Sequence, residues 1–402
     1  MAPDPSDDLL VVGAGVIGLS IAWRSAVAGL TVTLVDPAPG RGATWAAAGM
    51  LAPVSEAHFG EEELVALNLA AARDWPTFAS ELEAASGRSV HYTPLGMLLV
   101  AADPSDRDAT DRLLRFQHAL ELRARRLSAA ECRAAEPLLA AGVCGGAELG
   151  EDHQVDNRAL AVALEVACEA SGVSMIRDEV SGLCVEYGRL TGVSLRSGEQ
   201  RSAHSVVLCA GCRSGELPGL PEDLRPPVRP VKGLTLRLGA GDSPRLRRTV
   251  RGLVHGRSCY LVPRADGTLV VGATVEEKGF DLSVQAGAVL ELLDSARRIV
   301  PVVDEYELLE TTTGLRPGSP DNGPLVGETP IAGLLVATGH YRHGILLAPL
   351  TAERILELLA GADRSERLDA LFAPFSPDRF GDRERVRRSP VSMAGEKTEG
   401  VR

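Results

Sequence analysis

The sequence predicts an α/β protein with more than one folding unit, and three observations carry that prediction. The chain opens on a strand, glycine turn, helix and second strand, "DLLVVGAGVIGLSIAWRSAVAGLTVTLVD". Late in the chain another apolar run leads through a glycine into an amphipathic helix, "GLLVATGHYRHGILLAPLTAERILELLAG" (333–361). Between them lie strand-like runs such as "GMLLVA", "VKGLTLRL" and "GTLVVGAT", and 402 residues are long for one core.

Bulk composition bounds the partners. A hydrophobic content of 45% with 24% charged residues is ordinary for a soluble globular chain. The net charge of −12 and pI near 5.3 argue against nucleic acid or an anionic membrane, which need a basic surface. No apolar run approaches the ~20 residues that span a bilayer. The acidic start "MAPDPSDDLL" lacks a secretory pattern. Seven cysteines, odd in number and irregularly spaced, suit free thiols in a reducing cytoplasm.

The first strand, Leu9 to Val12, is a continuous apolar run, as expected of a parallel strand covered on both faces. Gly13, Gly15 and Gly18 then complete GxGxxG: the first turns the chain, the second lets a pyrophosphate approach, the third lets helix pack on strand. The helix N-terminus offers free N–H groups and partial positive charge to the phosphates. Asp36 ends the second strand, where a carboxylate can accept hydrogen bonds from ribose hydroxyls. A lone GxGxxG also occurs in unrelated glycine turns, but here strand, helix, strand and acid agree. The motif does not choose between NAD(P) and FAD.

Next comes "GRGATWAAAGMLAP" (40–53), whose small residues let the main chain lie against a bulky planar ligand, though composition alone reads as an Ala-rich helix start. "VSGLCVEYGRLTGVSLRSG" reads as a β-meander broken at Gly188 and Ser197-Gly198. "RSAHSVVLCAGCR" (201–213) is an apolar strand ending in Ala210-Gly211. Its Cys209-x-x-Cys212 has no second pair or His cluster beside it, so it reads as packing rather than as a metal site.

"YELLETTTGL" reads as a strand and "GLRPGSPDNGPLVG" (314–327) as a loop, for its prolines, glycines and Asn-Gly. Arg316 is then either a solvated loop charge or a residue aimed at a ligand. After Gly339 comes "HYRHG" and a helix expected from about Ile345 to Leu359. A cation at a helix N-terminus is disfavoured by the dipole. Arg342 therefore reads as answering a negative ligand, with an exposed cap-region arginine as the alternative.

Together "VVGAGVIGLSIAWRSAVAGLTVTLVD", "ATWAAAGMLAP", "VLCAG", "PVKG", "YLVPRADGTLVVGAT", "GLRPGSPDNGPLVG" and "GHYRHGILLAP" resemble the FAD-dependent oxidases of the D-amino-acid oxidase superfamily. The resemblance runs from about residue 8 to 370 and is strongest to the glycine oxidase (ThiO-like) type. It implies a Rossmann-type FAD-binding domain (GR2-like) over 1–87, 143–226 and 311–371. Interleaved with it would be an α+β substrate domain, on a largely antiparallel sheet, over 88–142 and 227–310. The charged tail, 372–402, is expected to be disordered.

The resemblance also implies roles. Val16, Ile17, Asp36 and Pro37 would border the ADP half of FAD; Ala43, Thr44, Ala48, Gly49 and Met50 would pass the pyrophosphate and isoalloxazine. Val180 would meet the adenine through its main chain, with Ala210 and Gly211 nearby. His340, Tyr341, Arg342, His343, Gly344, Ile345 and Leu346 would wrap the flavin ring. Tyr260 and Arg316 would hold a substrate carboxylate with Arg342 close by, although Tyr260 on residues alone is a half-buried strand tyrosine. Met50 would lie near the substrate pocket. Where the family has a histidine two residues before the tyrosine this chain has Ser258, and Val275 replaces a pocket methionine, which leaves the pocket's size preference open.

The implied chemistry is hydride transfer from the Cα of glycine or a small amine or D-amino acid, giving an oxo acid, ammonia and H2O2, with O2 as acceptor, in service of thiamine biosynthesis. The alternative is a D-amino-acid dehydrogenase or a sarcosine-type oxidase of the same fold. With no cysteine between "GLRP" and "GHYRHG", the FAD is expected to be noncovalent. Relatives of this kind form homo-oligomers, so a dimer or tetramer is expected.

Overall fold

A computed structural model of the chain describes residues 7–361 and 364–380. Its first sheet has six strands in the order Leu325–Glu328, Leu334–Thr338, Ala203–Leu208, Asp7–Val12, Val32–Val35, Ser174–Ile176. All neighbours run parallel except the first pair. The apolar run of the opening strand is explained by burial on both sides. Leu9 and Val11 face a core shared with helices Val16–Val27, Glu62–Ser86, Asn157–Ala170 and Gly344–Ala360. Leu10 and Val12 face the three-stranded meander Val180–Glu186, Arg189–Leu195, Gln200–Arg201.

The second sheet has eight strands, in the order Glu307–Gly318, Arg229–Gly239, Thr268–Gly272, Arg257–Pro263, Thr249–Val254, Met97–Ala101, Gly145–Leu149, Ala124–Leu127. Only Thr249–Val254 against Met97–Ala101 is parallel. Helix Ala286–Ile299 closes the core on the face of Leu236, Val250, Leu261 and Val271. The opposite face of this sheet turns towards the Rossmann-type unit.

Several expectations are corrected. Gly145–Leu149 and Glu307–Gly318 pair within the antiparallel sheet, so the boundaries at 143 and 311 fall a few residues too early. The expected loop at 314 begins as strand, with Arg316 opposite Val231 and Pro317 opposite Pro230. Glu307–Gly318 is an edge strand, where a proline can sit without costing a ladder bond. The beginning of the expected disordered tail also packs: Phe375 is buried and Arg379 pairs with Asp321 at 2.9 Å. The rest of that tail, from 381, lies outside the described residues. No helix among the described residues is long and apolar enough to cross a membrane, and all seven cysteines are free.

Candidate active site

A cavity of about 990 Å³ runs between the glycine turn and the antiparallel sheet. At the turn Gly13 has φ +100°, and a Cβ there would come within 2.6 Å of the Cys209 carbonyl oxygen. A Cβ on Gly18 would meet the Gly13 carbonyl at 1.9 Å, so both positions exclude a side chain. The Val16 amide donates to Thr44 Oγ1 at 2.9 Å and the Ala14 amide to Asp36 Oδ2 at 2.8 Å. Thr44 thus acts at this end of the cavity by capping the first helix. The Gly15 and Ile17 amides have no hydrogen-bond partner among the described residues, and they line the cavity. Open amides at a helix N-terminus, a carboxylate at the end of the next strand and a floor of glycines fit a dinucleotide pyrophosphate and its ribose. Pro37, Val180, Ala210 and Gly211 line the same end.

The small-residue stretch forms one helical turn, Ala43–Ala46, and passes along the cavity to Met50. Its closeness to the sheet depends on Gly314, where a Cβ would come within 2.5 Å of Ala46 Cβ. Asn157 Nδ2 donates to the Thr44 and Trp45 carbonyls, and Arg264 Nη2 to the Ala48 carbonyl at 2.6 Å. Burial pulls the Arg264 guanidinium down to about 10. These side chains fix the stretch, Ala48 and Gly49 included, as a smooth wall.

Helix Gly344–Ala360 begins at the cavity, one residue earlier than expected. Trp75 Nε1 donates to the Leu346 carbonyl at 2.9 Å and ties the helix start to Glu62–Ser86. His340 Nε2 meets Thr351 Oγ1 at 3.1 Å, and His343 Nδ1 meets Asn68 Nδ2 at 3.3 Å. Burial pulls His340 down to about 3 and His343 to about 4, so both rings are neutral near pH 7. Tyr341, Ile345 and the open amide end of the helix complete this wall. A helix N-terminus here suits the electron-rich end of a reduced flavin.

One sheet face supplies the polar groups. Tyr260 lies opposite Arg251 on one side and Gly272 on the other, and a Cβ on Gly272 would fall 2.4 Å from its hydroxyl. The Tyr260 hydroxyl has no hydrogen-bond partner among the described residues. Burial pushes its pKa up, with Arg316 opposing, so it stays a neutral donor. Arg316 is half-buried. Its Nη1 donates to the carbonyls of Lys232 (3.3 Å) and Thr274 (3.1 Å), and it forms no ion pair among the described residues. Ser258 and Val275 line the cavity beside them, Val275 with 55% exposure.

Arg342 lines the cavity and also finds a negative partner within the chain. Its Nη1 lies 3.3 Å from Glu56 Oε2 and 3.1 Å from His58 Nε2, and its guanidinium sits 4.9 Å from the Tyr341 ring centroid. Arg251 takes the other Glu56 oxygen. Burial alone would raise the Glu56 carboxyl, but Arg251, His58 and Arg342 hold it well below the ordinary carboxylate range. Asp152 props this segment by accepting the Val54 and Ser55 amides, both at 2.8 Å. Behind the sheet, the buried Lys232 donates to Ser283 O and Gln285 Oε1, fixing the segment that brings Val275 and Leu282 to the cavity.

Glu56, Arg251 and Lys232 were not among the residues expected from the sequence. "VSEAHFG" has no periodicity, and "PRLRRTVRG" offers four arginines of which only the strand pairing selects Arg251. Among the described residues no cluster could hold a metal ion.

Residues 8–358 match the family model described as DAO, FAD dependent oxidoreductase. The chain is 35% identical over 376 residues to the bifunctional protein ThiO/ThiG of Trichormus variabilis, covering 93% of this chain and 55% of that protein. It spans about half the length of the first curated relatives it matches. It is 34% identical over 382 residues to glycine oxidase of Geobacillus kaustophilus, covering 92% of this chain and 96% of that one. The crystal structure of glycine oxidase from Geobacillus kaustophilus superposes with a TM-score of 0.85 at 32% identity, covering 93% of this chain and 98% of that chain.

Proposed function

The chain belongs to the DAO family of FAD-dependent oxidoreductases, and from that premise we propose that it oxidises glycine or a similarly small amine or D-amino acid. The observation that carries this reading is Arg316: it lines the cavity without an ion-pair partner among the described residues, whereas Arg251 and Arg342 share Glu56. A guanidinium fork beside an unpartnered tyrosine hydroxyl suits a carboxylate, whose two oxygens accept one bond from each plane of approach. Relatives named glycine oxidase support the substrate, and relatives named ThiO/ThiG support a place in thiamine thiazole formation.

The glycine turn, Asp36 and the wall from Ala43 to Met50 would hold FAD without a covalent bond, and FAD would supply the two-electron acceptor for the substrate Cα hydrogen, with O2 as the final acceptor. The chain's own part is orientation. Arg316 and Tyr260 fix the carboxylate, and the wall from Ala43 to Met50 limits the room for the substrate on the side of the glycine turn. Orientation of this kind is worth several kcal/mol of barrier. Neither neutral histidine nor the doubly paired Glu56 is free to act as a base, so the amine gives up its proton to solvent before Cα–H cleavage. The balance is one amino acid, one O2 and one water giving one oxo acid (glyoxylate from glycine), one ammonia and one H2O2.

A dehydrogenase or sarcosine-type oxidase would share this architecture. Measuring O2 uptake, ammonia and H2O2 in one assay separates them: equal amounts of all three with glycine support the reading. Flavin reduction that proceeds only with a quinone contradicts the acceptor, and formaldehyde and glycine released from sarcosine in preference to ammonia from glycine contradict the substrate. For location we propose the cytoplasm, on the free thiols, and a homo-oligomer, for which the exposed Leu308 and Leu309 offer apolar surface.

A further inference from the structure

At the sheet end of the cavity the chain presents more positive charge than a one-carboxylate substrate takes up. Arg251, Arg316 and Arg342 face a single carboxylate, Glu56, and His340 and His343 are neutral. The cavity's other charged residues belong to the dinucleotide-binding unit, where Arg196 pairs with Glu179 and Arg213 with Glu216. One surplus charge is Arg316, already given to the substrate carboxylate. The other sits in the trio Arg251, Glu56, Arg342.

Within that trio the open group is Arg251. It is 9% exposed and stands on the sheet face directly opposite Tyr260. Its Nε donates to Ser258 Oγ at 3.2 Å, and its Nη1 to Ser55 O at 3.2 Å and to Glu56. Its Nη2 has no partner among the described residues. A buried guanidinium whose counter-charge is shared with a second guanidinium is stabilised by any further anion that reaches it.

We propose that Arg251, with the Ser258 hydroxyl, is a second anion position, and that the preferred substrate is a small amino acid carrying a second carboxylate, on its nitrogen or on a short side chain. The proposal rests on the amino-acid oxidase reading above. The spacing suits it. Arg316 reaches over Gly233 to the Thr274 carbonyl, just past Thr268–Gly272, and Arg251 lies two strands further on. At ~4.8 Å per strand the two cations are roughly 10 Å apart, enough for two carboxylates a few bonds apart with a charge-assisted hydrogen bond at each end. Glycine would engage only the Arg316 half.

The test uses the FAD-loaded protein. Peroxide formation is followed with glycine, sarcosine and D-alanine against iminodiacetate and D-aspartate. The proposal expects at least one two-acid substrate to exceed glycine in kcat/KM by tenfold or more, and Arg251→Met to lower that ratio at least tenfold. Because this variant removes a Glu56 partner and could fold poorly, the wild-type protein is also titrated with malonate, succinate and acetate, read by the flavin spectrum. A dicarboxylate should bind at least tenfold tighter than acetate. Dicarboxylates that neither react better than glycine nor bind tighter than acetate overturn the proposal, as does an Arg251→Met effect equal on all substrates. If no amine reduces the flavin, the oxidase reading itself fails, and the titration still decides whether the second anion position exists.

Discussion

The guanidinium of Arg316 lies against Gly233: a Cβ at that glycine would stand 2.4 Å from both of its Nη atoms. The arginine crosses the neighbouring strand at Gly233, which has no side chain to obstruct it, and that crossing brings it over the cavity rather than into solvent. Gly233→Ala should therefore displace the guanidinium without disturbing the glycine turn some distance away. We expect kcat/KM for glycine to fall roughly 10- to 100-fold, about 1.4–2.7 kcal/mol, with FAD content unchanged. Steady-state kinetics beside the flavin-to-protein absorbance ratio checks this, and unaltered kinetics would detach Arg316 from the substrate.

Arg316→Ala should remove the carboxylate contact outright, raising KM or abolishing saturation by on the order of 100-fold while FAD stays bound. Arg316→Lys should recover little, since a point charge lacks the fork. Loss of flavin from either variant would assign this arginine to the cofactor instead.

Glu56→Gln leaves Arg251 and Arg342 without their shared counter-charge in a site where both carboxylate oxygens are used. Breaking a buried pair from one side costs about 3–5 kcal/mol. Urea unfolding of the variant should show a loss of that order, partly restored by added anions such as chloride or malonate. A midpoint equal to wild type would mean that Glu56 is solvated in solution.

His343 gives the protein an acid-sensitive step. Its ring is buried beside Asn68 and pulled down to about 4, whereas an unfolded histidine titrates near its ordinary ~6.5. The unfolded chain then binds a proton that the folded one refuses, so this contribution is complete above about pH 6.5 and is lost as pH falls towards 4. The loss is on the order of 3 kcal/mol. Thermal melts of wild type and His343→Gln between pH 7 and 4 should converge as pH falls, because the variant lacks the titrating ring. Parallel curves would contradict the assignment.

Much of the architecture is legible in the sequence because its signals are local. The opening strand–turn–helix–strand, the meander after Val180 and the helix after His343 each follow from period, glycine placement and capping within a few residues. Arg316, Tyr260 and the glycine turn line one cavity. The strand continuing through Pro317 was hidden because a proline ordinarily argues against a strand unless it lies at an edge, and edge position is a property of the whole sheet. Glu56 and Arg251 were hidden for a related reason. They are 195 residues apart, and only the packing of the 54–56 segment on Asp152 and the parallel pairing of Thr249–Val254 with Met97–Ala101 bring them together.

The central claim is that this cavity holds FAD and presents to it an amino acid fixed by Arg316. Anaerobic mixing of the purified holoprotein with glycine, sarcosine, D-alanine and iminodiacetate tests it most directly, with the visible flavin bands as the readout. The bands should bleach with at least one of these, return on admitting O2, and bleach far more slowly in Arg316→Ala. Bound flavin that stays oxidised with every member of the panel, or that bleaches equally fast without Arg316, would contradict it.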